Sequence, residues 1–417
     1  MRVFYGWFLL VIVWVLYGFQ ASPGYYSWPF FAPDIVEDLG LTRAQVGSVY
    51  GSLTFMFAVT APLAGRAIAR WGARSVLVVG NLIMAAGFWG LSGADTLSEC
   101  YLYYGLMVGG GMGLGTFITC QTLATNWFSR YRARAVAFVL TAGGVVGKLV
   151  YQFDNVMVQQ YSWRTGWFVL ALLTLALAVL GWLLVRNRPA DLGQHPDGID
   201  PASDAGAVPL QGERPGLEVW TLQAVLRTPQ FAVLCLSATA CFVPWTVCTM
   251  HGRMHLEGLG LSTDVTAGIL GTMVLLSVVG RLTGGLGDFL VPEKVLGYAL
   301  LVEGAGVLAF LFAETPFLAY LSTTLLALGF GAAYISLAVV LARFFGAGVF
   351  AQVLGVNYLI AGILQAISPG LAGWTYDLTG SYRIAFISAT LLSTLGGLCT
   401  WLLRVPQPPG GIESMPG

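Results

Sequence analysis

The sequence predicts an all-α membrane protein of about twelve spanning helices, arranged as two pseudo-symmetric bundles of six. Three observations carry this. Of the 417 residues, 57% are hydrophobic and 10% are charged, where a soluble domain has about 45–50% apolar and about 25% charged residues. Apolar runs of roughly 20 residues recur along the whole chain, the length that a hydrocarbon core of about 30 Å requires of a helix. The one long polar stretch, 187–230, falls near the middle and divides the runs six and six.

The first run, 5–33, follows a lone Arg2. Its end carries Tyr25, Tyr26 and Trp28 where a cleaved signal peptide would carry small residues, so it reads as a retained span. Runs at 45–70, 73–92, 98–127, 133–157 and 163–185 complete a first bundle over 1–186. Residues 187–230, rich in Pro, Asp and Gly, read as a cytoplasmic linker, irregular apart from a surface helix at Trp220–Leu226. Runs at 231–254, 265–287, 291–312, 316–342, 348–370 and 382–404 form a second bundle over 231–417. Pro23 with Gly24 in span one and Pro244 in span seven are expected to break those helices locally. Lipid tolerates such breaks only where the freed backbone faces protein or a cavity, which makes spans one and seven candidates for a moving, cavity-lining set. Among the 54 glycines, the runs within 109–115 and 143–147 let helix backbones approach closely.

Charge placement sets the expected orientation. Of the 20 Lys and Arg, 14 fall on one side of the predicted spans and 4 (Arg43, Arg164, Arg253, Arg383) on the other, with Lys148 and Arg281 inside spans. The positive-inside rule then places both termini in the cytoplasm of a multi-pass plasma (inner) membrane protein. A formal net charge of zero gives no reason to expect a nucleic-acid partner. The six cysteines sit in or beside apolar helices without metal-type spacing and read as packing residues. With three histidines in all and no catalytic grouping of His, Asp, Cys or Ser, neither an enzyme nor a cofactor is expected.

The halves echo each other. Gly65, Arg66, Arg70, Gly72 and Arg74 form a cationic turn after span two, and Gly285, Gly287, Asp288 and Lys294 form a polar turn after span eight; these are the expected gating turns. Trp127 and Phe128 end span four as Phe344 and Phe345 end span ten. Two halves with matching turns are the pattern of a carrier whose cavity lies between repeats and opens to each side in alternation.

At these residues the chain resembles the major facilitator superfamily, and within it the monocarboxylate porter and oxalate/formate exchanger branch. The turn 65–74 looks like the superfamily's turn between helices two and three, with Ala69 where that pattern has an acid. The branch-level likeness rests on Tyr26-Ser27-Trp28-Pro29-Phe30-Phe31 with Leu41-Thr42-Arg43-Ala44, Trp127-Phe128 followed by Arg134 and Ala142-Gly143, and Leu226-Arg227-Thr228-Pro229-Gln230-Phe231. It continues with His251 ahead of Gly260-Leu261-Ser262, with Gly280-Arg281, and with Pro369-Gly370-Leu371-Ala372-Gly373 and Tyr376-Asp377-Leu378-Thr379-Gly380-Ser381-Tyr382. The resemblance implies the two-bundle transporter fold and assigns to Arg281 the helix-eight arginine that binds a substrate carboxylate. Ser277 stands where proton-coupled members have an acid.

The intramembrane charges point the same way. An ionised group at mid-membrane costs at least about 2.5–3.5 kcal/mol, so it is expected to meet water, a partner or a substrate. Arg281 has Val274, Ser277 and Gly284 around it on its helical face and no acid. An unpaired guanidinium is matched by a carboxylate held through two parallel hydrogen bonds. Lys148 heads a polar side of span five with Thr141, Tyr151, Gln152, Asn155 and Gln159, and Asp154 lies off it. His251 is a candidate donor to a carboxylate or proton carrier near the end of span seven. Tyr26, Trp28, Phe117, Gln121, Tyr334, Asn357, Tyr358 and Gln365 are the aromatic and amide residues expected to face the cavity in the superfamily layout, and Glu303 has no assigned role. The expected cargo is a small organic anion, a monocarboxylate first, with protons as candidate co-substrate. A dicarboxylate exchanger is the alternative, since one cation in each half could serve two carboxylates. Multidrug efflux of cations would need a buried acid in the cavity rather than these positive charges, and a nontransporting sensor stays open.

Overall fold

The computed structural model describes residues 4–199, 220–283 and 290–407. Twelve helices are long and apolar enough to cross a membrane. In chain order they are α1 (Tyr5–Leu39), α2 (Arg43–Trp71), α3 (Ala73–Ser92), α4 (Leu97–Trp127), α5 (Arg132–Gln160) and α6 (Trp163–Leu184). The second bundle holds α7 (Pro229–Gly258), α8 (Thr263–Thr283), α9 (Pro292–Leu311), α10 (Pro316–Phe345), α11 (Ala347–Thr379) and α12 (Arg383–Trp401). The end of the molecule carrying the start of α1 and the end of α12 is the terminal end, and the opposite one is the distal end.

Several helices outrun the predicted spans at the distal end. α1 continues to Leu39 and stops at Gly40, whose φ of 62° is the left-handed cap that a side chain disfavours. Two residues later Thr42 opens α2 with a capping box, its side chain accepting from Gln45 N–H while the Gln45 side chain accepts from Thr42 N–H. The expected helix breaks at Pro23 and Pro244 do not occur: α1 runs through Pro23, Pro29 and Pro33, and α7 through Pro244. At Pro244 a neighbouring side chain compensates, because the freed Ala240 carbonyl accepts from the Ser393 hydroxyl at 2.8 Å. In α11 the carbonyl of Gln365, freed by Pro369, accepts from Ser368 at 2.9 Å. The actual irregularity is in α4, where a wide-turn segment Tyr101–Val108 leads through glycines to Thr116, at φ −99° and ψ −99°. Thr116 and Thr119 hydroxyls cover the carbonyls of Met112 and Leu114 there.

The start of the polar stretch is ordered against the first bundle. Asn187 accepts from Arg74 N–H at 2.8 Å, and its carbonyl accepts from Asn126 at 3.1 Å. The Asp197 carboxylate accepts from the backbone of Ser129 (3.0 Å) and Arg130 (2.7 Å) just before α5. The cationic turn is thereby clamped: Gly72 has a φ of 80° beside Asn187, and Arg74 bonds the Trp182 carbonyl, while Gly65, Arg66 and Arg70 are exposed. The second turn's Gly285, Gly287 and Asp288 lie outside the described residues. A short helix at Leu222–Leu226 is present, with Trp220 packed edge-on against Phe345 at 5.3 Å.

The bundles meet through α2 with α11 and α5 with α8. A Cβ on Gly51 would lie 1.9 Å from the Ala366 carbonyl, so only glycine permits α2 and α11 to touch there. Among the described residues, every hydrogen bond and ion pair between the bundles is at the distal end: Arg43 to Asp377 and Tyr382, Asn155 and Gln159 to Asp264, and Arg253 to Asp34 and Phe30. Farther toward the terminal end, Gly355 and Gly362 of α11 face open space. The distal side is closed and a cleft opens toward the terminal end. One test uses the Ser48 Cβ, which lies 3.3 Å from where a Cβ on Gly370 would sit, near the span of a disulfide. A Ser48→Cys/Gly370→Cys pair is expected to form a disulfide when a mild oxidant such as copper–phenanthroline is supplied. Adding Gly51→Val should lower the cross-linked fraction about tenfold, because overpacking costs about 1–3 kcal/mol.

Candidate functional site

Arg281 is placed by backbone contact. A Cβ on Gly331 of α10 would lie 2.7 Å from the Arg281 amide nitrogen, so the α8 and α10 backbones touch and Arg281 is held beside Tyr334, one helical turn along. Its guanidinium carbon is 5.2 Å from the Tyr334 ring centre. Tyr334 continues into an aromatic group with Phe242 of α7 at 6.0 Å and Tyr358 of α11 at 6.4 Å. In the first bundle the Tyr26 ring of α1 lies 5.5 Å from that of Tyr151 of α5.

The arginine is half-buried, its Nε has no hydrogen-bond partner, and among the described residues no carboxylate is within ion-pair reach. A cation–π contact is worth about 0.5–2 kcal/mol, less than the roughly 2.5–3.5 kcal/mol cost of the charge at mid-membrane. The site is therefore short of negative charge. Lys148 of α5 is half-buried with its stem against Gly271 of α8, and among the described residues it makes no hydrogen bond or ion pair. Two cations from opposite bundles thus lack counter-ions among the described residues.

The remaining expected residues divide. Phe117 and Gln121 of α4 are half-buried. Asn357 donates to Cys235 Sγ at 3.5 Å while its Oδ1 is buried without a partner, and Gln365 donates to Thr246 at 2.8 Å. Tyr151 is fully buried with an unpartnered hydroxyl. Four others sit away from the cleft. Trp28 is fully buried inside the first bundle, donating to the Val46 carbonyl at 3.0 Å and stacked on Tyr104 at 4.6 Å. Ser277 is 2% exposed and donates to the Val274 carbonyl of its own helix. Both ring nitrogens of fully buried His251 are engaged, with the Tyr382 hydroxyl at 3.1 Å and the Pro369 carbonyl at 2.9 Å. Gln152 lies on the exposed side of α5 with Val145, Leu149 and Val156, an apolar stripe suited to lipid.

Sequence reading missed Phe242, whose signal is only its helical spacing. It counted Arg253 with the charges on the non-cytoplasmic side at the end of span seven; Arg253 lies inside α7 and is 5% exposed. Asp154 accepts from Ser27 at 3.1 Å with its other oxygen unpartnered, and Glu303 is buried with both oxygens unpartnered.

A family model described as Major Facilitator Superfamily matches residues 13–290. The chain belongs to the major facilitator superfamily. Among curated members of the superfamily, monocarboxylate transporter 13 of Bos taurus is 28% identical over 381 residues, covering 88% of this chain and 79% of that protein. Monocarboxylate transporter 12 of Rattus norvegicus is 25% identical over 370 residues, 82% of this chain and 74% of the relative. Among solved superfamily structures, a bacterial homologue of the human lysosomal transporter Spinster aligns with a TM-score of 0.76 at 14% identity, covering 95% and 96% of the two chains. That likeness shows the twelve-helix fold, six and six, in this transporter.

Proposed function

We propose that this transporter is a secondary carrier of small organic anions, monocarboxylates first, working by alternating access in the plasma (inner) membrane. The observation that carries the reading is Arg281: a guanidinium in the wall of a central cleft, backed by Tyr334 and without a carboxylate partner among the described residues. A travelling carboxylate supplies the missing charge and accepts two parallel hydrogen bonds from the guanidinium. The names of the curated relatives agree with that cargo. Arginines concentrate at the terminal end, in 65–74 and 130–134, which makes that end cytoplasmic and the present conformation inward-facing. Loading the anion onto Arg281 screens a charge that otherwise opposes closure of the cleft, so the loaded carrier closes more readily than the empty one.

A dicarboxylate is the second reading, favoured by Lys148, the unpaired cation of the other bundle. Uptake into liposomes of a labelled lactate-like monocarboxylate, competed by unlabelled monocarboxylates and by oxalate-like diacids, tests both. Monocarboxylates are expected to compete more strongly, and Lys148→Ala to weaken diacid competition about fivefold or more while leaving monocarboxylates nearly unchanged. Absence of uptake of either class, with purified protein shown to be folded, would sink the carrier reading. Internal pH recorded in the same vesicles reads whether a proton travels with the anion.

A further inference from the structure

The transport reading makes no use of a groove on the outer side of the first bundle, near its terminal end. It has a volume of ≈ 490 Å³ and is lined by Ala67 and Trp71 of α2, Ser75, Val76 and Val79 of α3, and Leu114 of α4. Its walls are almost wholly apolar. Beside it Trp71 is 62% exposed and Val79 49% exposed, as suits a face that lies in lipid rather than in the cleft between the bundles.

The mouth is different in character. Arg70 lies with its guanidinium carbon 5.7 Å from the Trp71 ring centre, and Arg66 precedes it by one helical turn. Both arginines are exposed, and among the described residues neither has an ion pair or a side-chain hydrogen bond. The Trp71 indole N–H and the Ser75 hydroxyl are likewise without a protein acceptor among the described residues. The neighbouring Arg74 offers a contrast, being committed to the Trp182 carbonyl and ring. Free donors and positive charge thus stand next to the slot, Arg66 and Arg70 being the chain neighbours of the lining residues Ala67 and Trp71.

That pairing selects one kind of occupant. A soluble anion would satisfy the rim and leave the slot facing lipid, and a neutral lipid would fill the slot and leave the charge unmatched. We infer that the groove is a binding site for an anionic phospholipid. One acyl chain lies along Val76, Val79 and Leu114, and the phosphate is held by Arg70 and Arg66 with help from Trp71 and Ser75. Basic residues beside a membrane helix favour anionic lipid by about fivefold per cation. The inference does not depend on what the carrier transports.

Native mass spectrometry of the purified full chain, titrated with phosphatidylglycerol or with phosphatidylcholine of the same acyl chains, tests it. Phosphatidylglycerol is expected to bind at least about fivefold more tightly. The double variant Arg66→Ala/Arg70→Ala should erase that preference, and Arg70→Lys should keep part of it. Arg130→Ala, which removes an exposed cation away from the groove, should leave it intact. Val79→Trp, which fills the slot, should weaken both lipids. Inorganic phosphate at millimolar concentration should not displace the lipid. Equal binding of the two lipids, a preference that survives the double variant in protein of unchanged thermal stability, or displacement by phosphate alone would each overturn the assignment.

Discussion

Arg281→Ala is expected to abolish carboxylate uptake, lowering kcat/KM by about a hundredfold or more in liposomes. The guanidinium is half-buried and its Nε is unpartnered among the described residues, so on the proposed reading a bound carboxylate satisfies it. Removing one member of a buried, hydrogen-bonded charge pair costs about 2–5 kcal/mol, much of it the penalty for leaving the other charge alone. On the proposed reading that other charge is the substrate itself, which would have to enter the cleft without the guanidinium to meet it. Arg281→Lys keeps the charge but not the planar fork, so it should recover part of the loss and no more. Tyr334→Leu, which removes the ring 5.2 Å from the guanidinium, should cost about 0.5–2 kcal/mol, an effect of roughly twofold to thirtyfold. The ordering Ala below Lys below wild type, with Tyr334→Leu intermediate, separates substrate capture from a purely structural arginine. A structural arginine would lose folded protein rather than raise KM. Uptake by Arg281→Ala within about twofold of wild type would remove the basis of the anion reading.

The helices were legible because length and hydropathy are local properties, and their ends were less so because charge was read as loop. Asp34, Glu37 and Asp38 at the end of α1, and Arg253, His255 and Glu257 at the end of α7, sit in continuous helix. Most of them meet partners far away in sequence: Asp34 pairs with Arg253, Asp38 with Arg164, and His255 bonds the Phe310 carbonyl. Arg253 reaches Asp34 across 219 positions, and no window along the chain can reveal such a partner. Arg281 and Lys148 stood out because a charge inside an apolar run is conspicuous. Which way a neutral polar or aromatic side chain points was not legible, since one residue turns a helix by about 100° and only the neighbouring helices fix the rotation. Gln152 therefore fell among lipid-facing valines and leucine. Trp28 and His251 proved to be satisfied by partners at Val46, Tyr382 and Pro369 instead of facing the cleft. The expected proline breaks failed for a related reason: Ser393, which caps the carbonyl that Pro244 frees, lies far along the chain in α12.

Arg253→Ala is expected to shift the carrier toward a state open at the distal end. Arg253 is 5% exposed and joins the bundles there: it meets Asp34 Oδ2 at 2.5 Å and the Phe30 carbonyl in α1, and Glu257 Oε1 at 2.8 Å in its own helix. Its guanidinium carbon also lies 4.6 Å from the Phe30 ring centre. Breaking a buried pair by removing one partner costs about 3–5 kcal/mol. Asp34 is partly exposed, so solvent screening brings the expected figure down to about 1–3 kcal/mol. The contacts to α1 exist only while the distal side is closed, so their loss raises the closed state relative to the open one and leaves each bundle's own packing intact. A shift of about 1–3 kcal/mol changes the ratio of the two states by roughly fivefold to a hundredfold. Spin labels at Glu37→Cys and Thr379→Cys, exposed positions at the distal ends of α1 and α11, should report a longer-distance population that grows in this variant. Asp34→Asn, which keeps the shape and removes the charge, should produce a smaller growth of the same population. Unchanged distance distributions in both variants would show that the close approach of α2 and α11, with Asp377 accepting from the Arg43 and Ala44 backbone at 3.1 and 2.9 Å, holds the distal side shut without Arg253.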